Sequence, residues 1–235
     1  MRILVVDVGG NNIKVRHPDQ HTVLKIPSGA RLTAAAMVRA VKQATAGWKY
    51  DGVSIGFPGP VIDGHPAREP HKMGGGWVRY PYRKAFGRPV RILNDAAMQA
   101  LGSYQGGRML YLGLGTGLGS ALVVDGIVQP LELAHLPYRK GRTFEDYVGQ
   151  RGYERLGKRA WLRHVAHVVE ALQHALQADY VVLGGGSVKR LERLPASARP
   201  GSNANAFTGG IRLWETDANA PRRTAAHRAR RKRRA

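Results

Sequence analysis

Asn94-Asp95 closes the short apolar run 90–93, with residues 7–15 (DVGGNNIKV) upstream and residues 115–126 (GTGLGSALVVDG) downstream. An aspartate delivered by the end of a hydrophobic strand is a fixed carboxylate. Such a group can take the proton from a hydroxyl nucleophile, help that is typically worth ~10²–10⁴ in rate. Asn94 offers an amide donor and acceptor to neighbouring hydroxyls. Asp95 also suits the N-cap of a helix starting at Ala96, and one side chain can serve both purposes. The flanking glycines supply the second half of a chemistry, because a missing side chain lets backbone N–H groups approach phosphate oxygens. Gly9-Gly10 with Lys14 nearby suits one phosphate contact. Gly115-Thr116-Gly117-Leu118-Gly119 suits another, with the Thr116 hydroxyl as an added donor. Each turn alone reads as an ordinary hairpin. Two of them in equivalent settings around one acid point to phosphoryl transfer, where a protein mainly positions groups and neutralises charge. No GxxxxGK[ST] occurs, which excludes a P-loop.

Glu132 and His135, in LELAHLPY, stand three residues apart and could both address vicinal hydroxyls, although the same pair is as common on a plain surface. His65 and His71 carry a weaker signal. His164, His167 and His174 fall on the polar side of an amphipathic segment and read as solvated rather than metal-binding.

These residues need elements to hold them. Residues 2–8 are a β-rich run into Gly9-Gly10, and 12–16 continue extended, so the first turn heads a hairpin and does not open a helix. That argues against a dinucleotide fold, whose glycines lead directly into a helix. Apolar spacing predicts a helix over 32–46, a strand over 52–57, a strand over 90–93 and a helix over 96–104. After Gly106-Gly107, a plausible hinge, the grammar repeats: strand 109–114, glycine turn, strand 120–124, an Asp125-Gly126 turn and residues 127–129. A helix with Trp161, Leu162, Val165, Val168, Val169, Leu172 and Leu176 on one face follows, then a strand 180–183 running into Gly184-Gly185-Gly186. Two lobes that each open with strand, glycine turn, strand imply a cleft between them, where small-molecule sites are common.

Composition bounds the setting. The 235 residues suffice for two small domains, and no run approaches the roughly 18 apolar residues of a membrane span. Zero cysteines excludes disulfides, thiolate catalysis and Cys-ligated zinc. MRILVV is interrupted by Asp7 too early for a signal peptide, so a cytoplasmic protein is expected. Net charge is +21; the segment from Pro221 onward holds eight of the 37 cations and none of the 16 acids, so the rest still carries +13. That segment reads as a disordered basic tail able to bind polyanions non-specifically. For the body, a polyanionic ligand and the ordinary surface of an Arg-rich protein from a high-GC organism explain the excess equally well.

Taken together, DVGGNNIK, SIGFPGPVIDG, LNDA, LGTGLGSALVVDG with LELAHL, and VLGGGSVK resemble the ROK (repressor, open reading frame, kinase) sugar kinases in order and spacing. They are most similar to the polyphosphate glucokinase branch, which lacks the family's cysteine zinc cluster. TFEDYVGQRGYERLGKRAW and NAFTGGIRLW extend the likeness over residues 2–214. The resemblance implies an α/β, two-lobed actin/hexokinase-like (ribonuclease H-like) fold with an interlobe cleft. The lobes would be 1–107 and 108–216, with the last helix packing back on the first lobe and 217–235 as the tail. It implies a kinase for the 6-hydroxyl of glucose, with Asp95 as base and Asn94, Glu132 and His135 on the sugar. Asp7 would orient Mg²⁺ through water, with Gly9, Gly10, Asn11, Lys14, Gly115, Thr116 and Gly117 on the phosphates. Gly184, Gly185 and Gly186 would lie against ATP or inorganic polyphosphate, with no zinc, and a homodimer is common in the family. Lys14, Arg16, Arg139, Lys140 and Arg142 are candidate polyanion contacts. Three departures stand out: Asn11 replaces a small hydroxyl residue, Ala134 replaces a glycine, and residues 71–86 match the sugar loop only loosely. Two other functions fit the same residues: an ATP-dependent kinase of another hexose (mannose, fructose or an N-acetylated sugar), and a non-catalytic binding or regulatory relative. The repressors' helix-turn-helix would have no room ahead of a hairpin that starts at residue 3.

Overall fold

The computed structural model describes residues 1–215 except His21 and Lys72. The basic segment from Pro221 lies outside the described residues. In the first half, β1 (Ile3–Val8), β2 (Asn12–Arg16) and β3 (Leu24–Pro27) form an antiparallel meander. Then come α1 (Ala34–Ala44), β4 (Gly52–Phe57), the small β5 (Val61–Ile62) and β6 (His65–Pro66) hairpin, α2 (Tyr82–Phe86), β7 (Val90–Asn94) and α3 (Asp95–Ser103). In the second half, β8 (Arg108–Leu114), β9 (Leu118–Val124) and β10 (Ile127–Leu131) form another meander. It is followed by α4 (Phe144–Val148), α5 (Gln150–Ala175), β11 (Tyr180–Gly184), β12 (Ala198–Pro200) and α6 (Asn205–Arg212).

The two halves repeat one topology. One five-stranded sheet runs β3-β2-β1-β4-β7, the other β10-β9-β8-β11-β12, and in each the last two strands join in parallel. Parallel strands are buried on both faces and read as continuous apolar runs; β1, β4 and β11 are buried throughout. The period of two along a strand then sorts side chains between faces. Leu4, Val6 and Val8 of β1 pack with Met37, Val38 and Val41 of α1. Ile3 and Val5 turn the other way, toward Met98 of α3 and Phe207 of α6. Asp7 shares the parity of Ile3 and Val5, so the strand aims it to the α3 side. In the second sheet Leu110, Leu112 and Leu114 pack under Trp161, Val165 and Val169 of α5, while Met109 and Tyr111 face Ala96, Ala97 and Ala100 of α3.

The two helices that close the repeats, α3 and α6, cross in backbone contact. A Cβ on Gly102 would overlap the Asn205 carbonyl, and one on Gly209 would overlap the Met98 carbonyl. Arg212 then donates to the carbonyls of Leu101 and Tyr104 at 3.0 and 2.9 Å, capping the end of α3. Ser54 of β4 ties α6 down, donating to the Gly210 carbonyl at 2.6 Å and accepting from the Trp214 indole at 2.7 Å.

Strand and helix ends differ from the sequence expectation mostly by a residue or two. The larger difference is in α5, where Gly157 (φ 72°) is non-helical and two helices meet. β3, α2, α4 and β12 are short and have no periodic signal of their own. His164 corrects the solvated reading of the helix histidines. It is half-buried, bonded to the Tyr138 hydroxyl at 3.0 Å and set against Tyr147, while His167 and His174 are exposed. Burial first, then the nearby Arg139 and Arg163 charges, hold its pKa below the ordinary histidine value.

Candidate active site

Asp95 is the first residue of α3, directly where β7 ends. The cap is Asn94, not Asp95: its Oδ1 accepts from Ala97 N at 3.1 Å, and its Nδ2 donates to the Gly59 carbonyl at 3.1 Å. Both ends of the amide are therefore engaged, and they fix the turn that aims Asp95. The Asp95 Oδ1 accepts from Ala96 N at 2.8 Å. Protein packs densely around the carboxyl although the residue keeps some open surface. Burial, then the charge of Asp7, raises its pKa from 3.8 to about 7, against the opposing pull of the Ala96 N–H and the Lys14 ammonium. A carboxylate that titrates near neutrality is what general-base work at physiological pH requires.

Asp7 is only 6% exposed. Its cross-strand partner in the β1–β2 register is Lys14, whose Nζ lies 3.1 Å from Asp7 Oδ2. On the parallel neighbour β4, a Cβ on Gly56 would overlap Met98 Cε and sit 3.4 Å from Asp7 Oδ1, so glycine there lets α3 approach Asp7. Gly119 does the same from the second lobe, because a Cβ on it would lie 2.8 Å from Ala96 Cβ. Small residues thus draw β1, α3 and β9 together around the two acids.

The glycine turns close on themselves. Gly9 N donates to the Asn12 carbonyl at 3.1 Å, and Ser28, which the sequence did not single out, donates its hydroxyl to the Gly9 carbonyl at 2.6 Å. Gly10 and Asn11 are exposed, and nothing lies within 4 Å of a Cβ built on Gly10. In the second lobe Gly115 N donates to the Gly117 carbonyl at 3.1 Å; Thr116 is exposed and Gly115 again faces open space. Glu145 supports this turn, accepting from Leu118 N at 3.2 Å while pairing with Arg151 at 3.5 Å.

The three glycines 184–186 divide by task. A Cβ on Gly184 would overlap the Tyr111 hydroxyl, and one on Gly185 (φ 87°) the Leu114 carbonyl; only Gly186 faces open space. Tyr111 is a second residue without a sequence signal. Its hydroxyl donates to Gln99 Oε1 at 2.6 Å, and burial, then the charges of Asp95 and Asp7, push its pKa up. It is a neutral hydrogen-bonded floor near the acids.

Glu132 and His135 stand exposed at the two ends of a 3-10 turn, 3.9 Å apart. Ser120 ties that segment to β9, donating to the Leu131 carbonyl at 2.9 Å and accepting from Leu133 N at 3.2 Å. Ala134 between them is 3% exposed and packs in the core of the second lobe, which accounts for a methyl group at that position. Among the described residues no three His, Asp or Glu side chains gather to hold a metal, and no helix is long and apolar enough to cross a membrane.

No family model matches the chain. Over 210 residues it is 26% identical to the polyphosphate glucokinase of Mycobacterium tuberculosis H37Rv, covering 80% of this chain and 78% of that one. Among solved structures, the inorganic polyphosphate/ATP-glucomannokinase of Arthrobacter sp. strain KM superimposes with a TM-score of 0.76 at 23% identity, over 91% of this chain and 99% of that one. A ROK family glucokinase from Streptomyces griseus, solved with glucose and AMPPNP, gives 0.68 at 17% identity over 91% and 99%.

Proposed function

We propose that this chain, whose likeness in sequence and fold supports a ROK sugar kinase close to the polyphosphate glucokinases, transfers a phosphoryl group from polyphosphate or ATP to the 6-hydroxyl of glucose. The observation that carries the reading is Asp95: a carboxyl held at a helix start, raised to about 7, between two open glycine turns. In this reading the glucose O6 attacks the terminal phosphorus of the donor, its proton passes to Asp95, and the bond from phosphorus to the leaving phosphate oxygen breaks. Glu132 and His135 hold the sugar hydroxyls, and Asn94 offers them the second N–H of the amide that its contacts with Ala97 and Gly59 leave over. Gly9, Gly10, Asn11 and Lys14 from one lobe, and Gly115, Thr116, Gly117 and Gly186 from the other, hold the donor, while Gly184 and Gly185, expected beside it, instead pack on Tyr111 and the Leu114 carbonyl. The division of labour follows lobes 1–107 and 108–216.

A divalent cation fits this donor set in one way. Asp7 is a single buried carboxylate already sharing an oxygen with Lys14, and it repels Asp95. One carboxylate suits Mg²⁺, which keeps several waters and is otherwise bound by substrate phosphates. Asp7 would hold it through water, and the ion would neutralise charge on the donor.

The test is glucose 6-phosphate formation with ATP and with polyphosphate, repeated over a salt range and a panel of hexoses. Turnover on glucose with polyphosphate is expected, with a KM that rises steeply with salt, as for other multi-phosphate contacts. No turnover with either donor would refute the kinase reading. Polyphosphate that neither reacts nor competes with ATP would refute that donor.

A further inference from the structure

Arg190 ends the 3-10 turn Val188–Arg190, four residues beyond Gly186. Its Nη1 donates to Gln150 Oε1 at 2.8 Å, and its guanidinium carbon lies 4.1 Å from the centroid of the Tyr153 ring. That ring is braced in turn. It meets the buried Trp161 edge-on at 5.5 Å, and the Trp161 indole N–H donates to the Val148 carbonyl at 2.9 Å. Gln150 joins this platform to the phosphate-turn candidate: its backbone N–H reaches the carbonyls of Gly115 and Thr116 at 3.1 and 3.2 Å. The other glycine turn is tied in through Ser187, whose N–H donates to the Leu114 carbonyl at 2.9 Å. Arg190 and both glycine turns of the second lobe are therefore one bonded unit.

The charge on Arg190 has no carboxylate partner among the described residues. Two cations of α5 are neutralised, Arg151 by Glu145 at 3.5 Å and Lys158 by Glu192 at 2.6 Å, whereas Arg155 is, like Arg190, stacked on a tyrosine and bonded to a neutral oxygen. A guanidinium stacked on an aromatic face, and bonded along one edge to an amide whose other end donates to Glu154 Oε1 at 2.6 Å, is a charged fork held in place with no carboxylate of its own. That is the geometry which recognises phosphate oxygens in pairs.

We propose that Arg190, with the open backbone at Gly115 and Gly186, forms a subsite for the donor phosphates beyond the one transferred. The ligand class is a linear oligophosphate, either the inner phosphates of a nucleoside triphosphate or the next units of an inorganic chain. The proposal rests on the phosphoryl-transfer reading above and gives Arg190 to the leaving side of the donor, where charge accumulates as the bond breaks. Arg190 also staples α5 to the turn after β11, so the test must separate the two roles.

Wild type, Arg190→Gln and Arg190→Lys are compared for the KM of tripolyphosphate, ATP and glucose, for melting temperature, and for tripolyphosphate affinity by calorimetry without glucose. Arg190→Gln is expected to raise both donor KM values and the tripolyphosphate Kd about 10- to 100-fold, the scale of a lost charge-assisted hydrogen bond, with glucose KM within about twofold. Arg190→Lys should fall between, because it keeps the charge and loses the planar fork. Donor KM and Kd unchanged in Arg190→Gln would overturn the subsite. So would a lower melting temperature with donor and glucose KM rising together, which marks a staple. If the wild type binds tripolyphosphate through Arg190 yet phosphorylates no sugar, the subsite stands and the kinase reading falls. A wild type that does not bind tripolyphosphate overturns the subsite.

Discussion

Asp95 couples function to stability in a way that can be measured. Its carboxyl titrates at about 7 in the fold, against about 3.9 in an unfolded chain. A folded pKa raised above the unfolded one means stability is fully present at low pH and is lost as pH rises from about 4 through 7. Asp95→Asn should therefore leave stability unchanged near pH 4 and raise it at pH 8 by about 1–3 kcal/mol, the full shift being discounted for partial exposure. Melting curves at the two pH values check this; an asparagine variant less stable at pH 8 would contradict the burial and Asp7 repulsion. Activity should run the opposite way, falling tenfold per pH unit below about 7 as the base is protonated. Its position, at a strand end between two glycine turns, was legible in the sequence. Its cap was not, because Asn94 and Asp95 are both good cap residues and sequence does not say which takes the position. Tyr111, Gln99 and Ser28 left no signal either, since each acts through a partner distant in sequence.

Among the elements, the crossing of α3 and α6 holds the helix that begins at Asp95. Gly102→Ala and Gly209→Ala each place a methyl group on opposing backbone, which has no rotamer to give. Each should destabilise by about 1–3 kcal/mol, the usual cost of overpacking, read as a fall in denaturation midpoint. Gly102→Ala with native stability would show that the helices stand apart. Gly184→Ala presses instead on Tyr111, and should lower turnover more than stability by tilting the floor beneath the acids. The β1–β2 and β8–β9 hairpins were legible because strand and turn chemistry agree there. α2 and α4, five residues each, were not. They are too short to show a period, and α4 is held by a Thr143–Asp146 capping box, tertiary packing of Tyr147 and the Glu145 contacts to its neighbours.

For the whole molecule, the doubled topology explains how the proposed site can draw on residues from 7 to 190. Equivalent hairpins bring equivalent glycine turns to the two sides of α3, but only the first carries an acid on its strand. Asp7 faces Lys14 across β1–β2, whereas the corresponding β8–β9 pair is Gly113 with Gly119. One lobe supplies charge and the other room. The repeat was visible in the sequence as strand, glycine turn, strand, twice. The parallel strands β7 and β12, and the helix after each, complete it through contacts that no local pattern announces.

In the proposed reaction Asp95 takes the proton from a sugar hydroxyl. The most direct measurement is turnover of Asp95→Asn at pH 8 with saturating glucose and donor, beside its glucose affinity. A fall of at least ~10² in kcat with glucose binding kept is the predicted result. Near-normal turnover would contradict it and remove Asp95 from the chemistry.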